Sequence, residues 1–188
     1  NSENNLNYSV KVSSDVDDIK KSDKIVLPGQ GSFKACKEGI DKIDGLQQTL
    51  NESVLNKKKP IYGICAGMQL FATTGYEEEK TEGLNWISGE VIKLDLSPLK
   101  LKIPHMGWNE LRIENSSNVF KDEINKSHAY FIHSYEFIPE DKKNISITTN
   151  YGRDVMAGVS LGNIYGSQFH PEKSQNTGIQ ILTNFLNL

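Results

Sequence analysis

Two short apolar runs, each followed by a helical pattern, constrain the fold of this 188-residue chain more than any other feature. They read "KIVLPG" at 24–29 and "PIYGI" at 60–64. Continuous apolar runs of this length are typical of strands buried on both faces of a parallel sheet. Helical patterns follow them at 33–58 and in "GMQLFATT". This alternation predicts an α/β fold with a mostly parallel sheet flanked by helices.

The second half of the chain has a different pattern, in which short strand-like segments are separated by turns. This predicts an antiparallel section joined to the parallel sheet. The segment "YSVKV" at 8–12 alternates and predicts one more short strand. The chain ends in an amphipathic helix pattern with one apolar stripe. That stripe consists of Ile179, Leu182, Phe185 and Leu186. Because no linker or repeat interrupts the chain, we expect a single domain over residues 1–188.

Charge and cysteine content exclude several classes of function. The net charge is −3 and no basic block occurs, so the sequence favours neither a nucleic-acid partner nor a membrane surface. No apolar run approaches the roughly 20 residues of a membrane-spanning helix. The two cysteines are too few for a disulfide framework and lack C-x-x-C metal spacing. We therefore expect a cytoplasmic protein with reduced thiols.

One of the two cysteines, Cys65, stands between Gly63 and Gly67 in the form G-x-C-x-G. This is the thiol version of the nucleophile elbow, in which a sharp strand-to-helix turn presents the nucleophile at the carboxyl edge of a sheet. A position at a helix N-terminus predicts a lowered thiol pKa. The amide of Ala66 would then be placed to donate to an oxyanion. The alternative is a buried structural cysteine in an α/β turn.

A thiol nucleophile requires a base, and the base requires a group that orients it. Among the four histidines, His170 stands out in "QFHPEKS", where it follows an apolar strand and precedes Glu172 by two residues. Glu172 could hold His170 in the reactive tautomer. The glycine-rich "LPGQGSF" at 27–33 could supply a second oxyanion donor. The alternatives are a surface loop with an incidental His and Glu, and an ordinary strand-ending turn.

Five segments carry a family resemblance: "LPGQGSF", "GICAGMQLF", "PHMGWN", "FIHSYEF" and "GSQFHPEKS", in this order. From about Lys24 onward the chain resembles the class I (triad) glutamine amidotransferases, which have a flavodoxin-like fold. Within them it is most similar to the glutaminase subunits of imidazole glycerol phosphate synthases. The resemblance implies hydrolysis of glutamine to glutamate and ammonia through a cysteine thioester, with no cofactor and no metal.

The resemblance also implies roles for individual residues. Cys65 would be the nucleophile, His170 the acid and base, and Glu172 the residue that orients His170. The glutamine and oxyanion site would be formed by Gly29, Gly31, Ala66, Gln69, Ser134 and Tyr135. For Gln69, the alternative is a polar residue that caps the first helical turns.

The partner implied by the resemblance is a cyclase subunit with a (β/α)₈ barrel. Ammonia would pass to it through a tunnel, for synthesis of imidazole glycerol phosphate and an aminoimidazole carboxamide ribotide in histidine biosynthesis. The residues expected to face this partner are His105, Met106, Trp108, Asn109 and Lys173. The alternatives are a buried strand turn, with Met106 and Trp108 in the core, and a solvated charge at Lys173.

Several positions depart from the family pattern. Gln30 and Ala66 stand where valine and leucine are usual, beside the oxyanion hole. Trp86 in "GLNWISGEV" leaves open a glutaminase that supplies a sugar-modifying amidotransferase, and a partner-independent cysteine hydrolase is a further alternative. The family begins with a hydrophobic strand and a "YG-x-GN" loop, neither of which occurs here. We therefore expect an N-terminally truncated chain with an exposed sheet edge beside residues 24–28.

Overall fold

A computed structural model of the protein describes residues 8–96 and 101–188. These described residues contain five α-helices, α1–α5 in chain order, which span Val16–Lys21, Phe33–Asp41, Leu46–Asn51, Ala66–Gln69 and Gln175–Leu186. The same part of the chain contains twelve strands, β1–β12, which span Ile25–Gly29, Ile61–Cys65, Thr74–Gly75, Thr81–Glu82, Gly89–Lys93, His105–Glu110, Arg112–Ile113, His128–His133, Tyr135–Pro139, Ile145–Asn150, Asp154–Leu161 and Ile164–Ser167. Within these ranges, no helix is long and apolar enough to cross a membrane.

The largest sheet in the described part of the chain has six strands in the order β1-β2-β12-β11-β10-β7. Strands β1, β2 and β12 are parallel neighbours, whereas β11, β10 and β7 are joined by antiparallel pairing. The α/β fold with an antiparallel section is thus confirmed, although parallel pairing in this sheet is confined to three strands. Because β1, β2 and β12 run in the same direction, their carboxyl ends meet at one edge of the sheet.

Both faces of the central strands are buried, as the apolar runs predict. Along β2, Ile61 packs in one hydrophobic cluster and Tyr62 in another. The pattern repeats on β12, where Ile164 joins the first cluster and Tyr165 the second. Since successive side chains point to opposite faces of a strand, the two clusters lie on opposite sides of the sheet.

Strand β1 lies at one end of this sheet, and Val26 within it is 46% exposed. Among the described residues no strand pairs with the outer side of β1, while the N-terminal truncation itself stays a prediction. The strand predicted at 8–12 is wrong. These residues have no assigned strand, and Val10 and Val12 are exposed. Alternation alone does not make a strand, because the ladder requires a neighbouring backbone.

The first two helices begin at a side-chain cap, whereas α3, α4 and α5 have no such cap. The side chain of Asp15 accepts a hydrogen bond from the Asp17 amide at the start of α1. Gly45, with φ of +70°, separates α2 from α3 and so divides the helical pattern at 33–58. The stripe predicted for α5 is partly wrong, because Ile179 is exposed whereas Ile181 is buried.

Two smaller sheets complete the described structure, in the strand orders β4-β3-β5-β9 and β6-β8. In the antiparallel β6–β8 pair, Met106 lies opposite Ile132 and Trp108 opposite Tyr130. Alternation places these four side chains on one face of the pair. The other face carries the side chains of His105 and its neighbours in the ladder.

Candidate active site

Cys65 occupies a strained turn between β2 and α4. Its backbone has φ of +53° and ψ of −114°, a conformation that non-glycine residues rarely adopt and that is often associated with function. The turn requires glycine at position 67, since a Cβ atom there would lie 2.0 Å from the carbonyl oxygen of Leu27. The G-x-C-x-G pattern therefore forms the predicted elbow at the carboxyl end of β2.

The glycine-rich loop after β1 packs directly on this elbow. Gly29 lies opposite Cys65 in the parallel β1–β2 ladder. A Cβ atom on Gly29 would lie 2.0 Å from the amide nitrogen of Gly67, so only glycine allows this contact. Gly31 has φ of +111°, in the region that favours glycine. Of the residues predicted for the oxyanion site, Gly29 and Ala66 are thus brought together beside Cys65.

Burial acts on the pKa of the Cys65 thiol in the opposite direction to a helix N-terminus. Burial raises its pKa to about 11, against smaller lowering effects of the Ala66 amide and of Gln168. The prediction of a lowered pKa is therefore wrong. The helix that follows, α4, has only four residues, and burial outweighs what its N-terminus contributes.

His170 and Glu172 lie at the same edge of the sheet, just after β12. Nδ1 of His170 is 2.7 Å from Oε1 of Glu172. The His170 backbone is fixed by its amide, which donates to the Tyr130 carbonyl at 3.0 Å, and by its carbonyl, which accepts from the Ser174 hydroxyl at 2.6 Å. The ring is buried, whereas the Glu172 side chain is 46% exposed. With Nδ1 bonded to the carboxylate, Nε2 is the nitrogen left for chemistry.

Gln69 is buried and lies within a chain of amide contacts that ends at the thiol. Its Nε2 donates to the Tyr135 carbonyl at 3.1 Å and to Oε1 of Gln168 at 2.9 Å. Nε2 of Gln168 in turn is 3.7 Å from Sγ of Cys65. The sequence analysis missed Gln168, although its place between β12 and "FHPE" put it at the active edge.

Ser134 and Tyr135, predicted to contact glutamine through their backbone, form the junction between β8 and β9. The Ser134 carbonyl accepts a hydrogen bond from the Leu94 amide at 2.9 Å. The Tyr135 carbonyl accepts from Gln69 and lies 2.9 Å from Nδ1 of His133. Two donors saturate that carbonyl oxygen, so a backbone contact from Tyr135 to glutamine would have to use its amide.

Three of the five residues predicted to face a partner lie on an exposed surface. Met106 and Trp108 are 58% and 48% exposed, and the Lys173 ammonium lies 5.8 Å from the centre of the Tyr130 ring. A groove of about 350 Å³ borders Trp108 and the start of α5. The prediction for His105 is wrong, because alternation along β6 turns its side chain inward, where it is 2% exposed. Asn109 points to the same inner side and bonds to His105.

Cys36 and Trp86 lie outside the Cys65 turn. Cys36 lies in α2, and burial raises its pKa. Trp86 is buried, stacks near Phe71 with ring centres 5.2 Å apart, and donates to Oδ1 of Asn51 at 2.8 Å. Trp86 therefore gives no indication of which enzyme receives the ammonia. In the described part of the chain, no group of three or more His, Cys, Asp or Glu side chains is arranged to hold a metal ion.

Comparison with known proteins decides the family. Residues 4–188 match the family described as "Glutamine amidotransferase class-I". The chain is 54% identical over 180 residues to "Imidazole glycerol phosphate synthase subunit HisH" of Pelagibacter ubique (strain HTCC1062), covering 96% of this chain and 86% of the relative. The chain belongs to the class-I glutamine amidotransferases, in the group of HisH subunits. A second HisH subunit, from Cereibacter sphaeroides, is 43% identical over 178 residues, with coverage of 94% and 84%.

Solved structures share the fold of this family. "Crystal structure of glutamine amidotransferase" matches with a TM-score of 0.71 at 16% identity, covering 96% of this chain and 88% of the other. The glutaminase domain of Trypanosoma brucei CTPS with bound acivicin matches with a TM-score of 0.58 at 18% identity, covering 92% and 74%. At this level of identity the likeness concerns the fold alone, and the predicted fold class is confirmed.

Proposed function

We propose that this chain hydrolyses glutamine with Cys65 as nucleophile, His170 as acid and base and Glu172 as the residue that orients His170. The observation that carries the proposal is the meeting of the strained Cys65 turn and the hydrogen-bonded His170–Glu172 pair at one sheet edge. As a HisH-type subunit, the chain would use this site to supply ammonia for imidazole glycerol phosphate synthesis in histidine biosynthesis. The proposed unit is a single domain over residues 1–188.

The first step needs a base because the thiol is protonated. A pKa of about 11 leaves about one thiolate in ten thousand at pH 7. Nε2 of His170 takes the Sγ proton as Sγ attacks the amide carbon of glutamine. The carbonyl oxygen becomes an oxyanion, which the Ala66 amide and an amide of the Gly29–Gly31 loop stabilise. The positive imidazole is in turn stabilised by the Glu172 carboxylate.

In the second half of the reaction, His170 and Cys65 regain their starting protonation states. As the tetrahedral intermediate collapses, the C–N bond breaks and His170 donates its Nε2 proton to the leaving nitrogen, which departs as ammonia. Water then attacks the thioester with His170 again acting as the base. Glutamate leaves and the Cys65 thiol takes its proton back.

The glutamine pocket would lie between the loop after β1 and the β8–β9 junction. Both N–H groups of Gln69 are already donated, so its Oε1 is the atom left for the substrate. An acceptor at this place suits the α-ammonium group of glutamine. The amides of Ser134 and Tyr135 are the remaining backbone donors predicted for this pocket.

The partner we propose is a (β/α)₈ cyclase subunit that receives the ammonia. The surface that supports this is the outer face of the β6–β8 pair, where Met106, Trp108 and Ile132 are exposed next to Lys173. Exposed apolar side chains grouped beside a cation are a feature of protein interfaces. With its partner bound, the loop at 29–31 would turn an amide toward the oxyanion, which a glycine on either side of Gln30 makes easy.

The test of the catalytic assignment is covalent labelling with a glutamine-like electrophile. Cys65 should carry the label, and the Cys65→Ala variant should lose both labelling and glutaminase activity. Cys36→Ala is the matched control and should keep both. Labelling at Cys36, or full activity in Cys65→Ala, would overturn the proposal. Glu172→Gln should lower kcat while labelling with excess reagent is slowed rather than abolished, because Glu172 acts through His170.

A further inference from the structure

A chain of hydrogen bonds runs beneath the outer strand β6 to the predicted glutamine pocket. It begins at Asn109, whose Nδ2 is 3.3 Å from Nε2 of His105. Nδ1 of His105 is 3.0 Å from Nε2 of His133. Nδ1 of His133 is 2.9 Å from the carbonyl oxygen of Tyr135. We call these four groups the histidine relay.

The inner end of the relay fixes its proton pattern. The Tyr135 carbonyl can only accept, so Nδ1 of His133 carries a proton. In a neutral ring, Nε2 of His133 is then an acceptor, and Nδ1 of His105 must donate to it. Nε2 of His105 is in turn left to accept from Asn109.

The outer end of the relay requires the same direction. Nδ2 of Asn109 also donates to the Asn150 carbonyl at 2.7 Å, and Oδ1 of Asn109 accepts from the Glu110 amide at 2.9 Å. These two backbone partners fix which atom of the Asn109 amide is nitrogen. The nitrogen has one N–H left for His105. The hydrogen bonds at both ends of the relay therefore require the same tautomer, in which each ring carries its proton on Nδ1.

The surroundings of the rings keep them neutral and in place. His105 lies between Phe131 and Tyr151, with ring centres 4.6 and 4.1 Å away and nearly parallel planes. Burial lowers the pKa of His105 to about 4 and that of His133 to about 3. A neutral relay gives each nitrogen a single role, donor or acceptor.

The relay acts on the pocket through the Tyr135 carbonyl. That oxygen also accepts from Nε2 of Gln69 at 3.1 Å, and the second N–H of Gln69 is held by Gln168. The orientation of the Gln69 amide thus depends on where the Tyr135 carbonyl points. Loss of the His133 donor would leave Gln69 as the remaining side-chain donor to this carbonyl oxygen.

We propose that His105 and His133 are positioning residues, which through the Tyr135 carbonyl hold the Gln69 amide in the orientation that binds glutamine. The inference rests on the proposed function, because it places glutamine against Gln69. It assigns a role to His105 and His133, which are not part of the catalytic triad.

The kinetic test uses His133, in the chain together with its cyclase subunit. His133→Phe removes the donor to Tyr135, whereas His133→Asn keeps an N–H close to the place of Nδ1. We expect KM for glutamine to rise about tenfold in His133→Phe with a smaller change in kcat, as for the loss of one hydrogen bond. His133→Asn should recover most of this loss. His128→Asn, an exposed histidine on the same strand, should behave as the unsubstituted chain.

Two kinetic results would overturn the inference. One is an unchanged KM in a folded His133→Phe variant. The other is a loss in kcat alone that His133→Asn does not recover, which would indicate a structural role.

A spectroscopic test needs no activity and no folded variant of His133. In ¹⁵N spectra of the Cys65→Ala chain, both His105 and His133 should carry their proton on Nδ1. Adding glutamine should shift the Nδ1 signal of His133 and leave that of His128 unchanged. A proton on Nε2 of either ring, or an unshifted His133 while calorimetry shows bound glutamine, would contradict the relay.

The two proposals fail in different ways. Full glutaminase activity in Cys65→Ala would remove the proposed catalytic role and would leave the tautomer pattern intact. An unexpected tautomer would remove the relay and would leave labelling of Cys65 intact.

Discussion

Acidification from pH 7 to pH 5 should destabilise this protein, because His105 and His133 are neutral in the folded state. Both rings are buried, and burial holds their pKa values at about 4 and about 3. In the unfolded chain a histidine has a pKa of about 6.5. Between these values the unfolded chain binds protons that the folded protein does not. Stability is therefore complete above about pH 6.5 and is lost as the pH falls toward the folded values.

The size of the effect follows from the two pKa values of each ring. At pH 5 about 97% of an unfolded histidine is protonated, which favours unfolding by about 2 kcal/mol per ring. This number hardly depends on the folded pKa as long as that value lies well below 5. At pH 7 the same contribution is only about 0.2 kcal/mol. The pair should thus remove about 4 kcal/mol, a large part of the 5–15 kcal/mol typical of a whole domain.

Urea unfolding at the two pH values measures this loss directly. The variant His105→Gln/His133→Asn should lose about 4 kcal/mol less on acidification than the unsubstituted chain, whatever its stability at pH 7. His128→Asn, whose histidine is exposed, is the control and should not change the difference. An equal loss in the double variant and the unsubstituted chain would refute the reasoning. So would direct titration of either ring near pH 6.5 in the folded protein.

Further predictions concern backbone contact, buried charge and the partner. Gly67→Ala should lower the free energy of unfolding by about 3 kcal/mol and abolish labelling of Cys65, since its Cβ would lie 2.0 Å from the Leu27 carbonyl oxygen. Gly39→Ala lies in open space on α2 and should instead raise the free energy of unfolding by about 0.5–1 kcal/mol, measured by urea unfolding. Arg153→Met should cost about 3–5 kcal/mol at pH 7 because it leaves the buried Glu136 carboxylate unpaired, and an unchanged urea midpoint would contradict this. Glutamate production should rise about a hundredfold when the cyclase and its ligand are added, as expected for the gain of one oxyanion donor. Equal rates with and without the cyclase would contradict the proposal that partner binding turns an amide of the 29–31 loop toward the oxyanion.

Much of the active site could be predicted because its parts are local in the sequence. The elbow needs only the five residues from Gly63 to Gly67, with glycine where the backbones meet. The His170–Glu172 contact joins residues two positions apart. The strands that carry these segments were recognisable as apolar runs buried on both faces. Their meeting at one edge depends on the parallel pairing of β12 with β2, which the sequence analysis did not predict because it assigned the second half to an antiparallel section.

Other features were decided by the tertiary structure alone. The Gln69–Gln168 bond joins residues 99 positions apart, and the His105–His133 bond joins residues 28 apart. Side-chain amides and imidazoles give no sequence signal for such partners, since their bonds depend on which elements pack together. The raised pKa of Cys65 has the same origin, because burial by distant elements outweighs the local turn. Sequence by itself thus determined which residues stand at the active edge, while long-range packing decided their protonation and their hydrogen-bond partners.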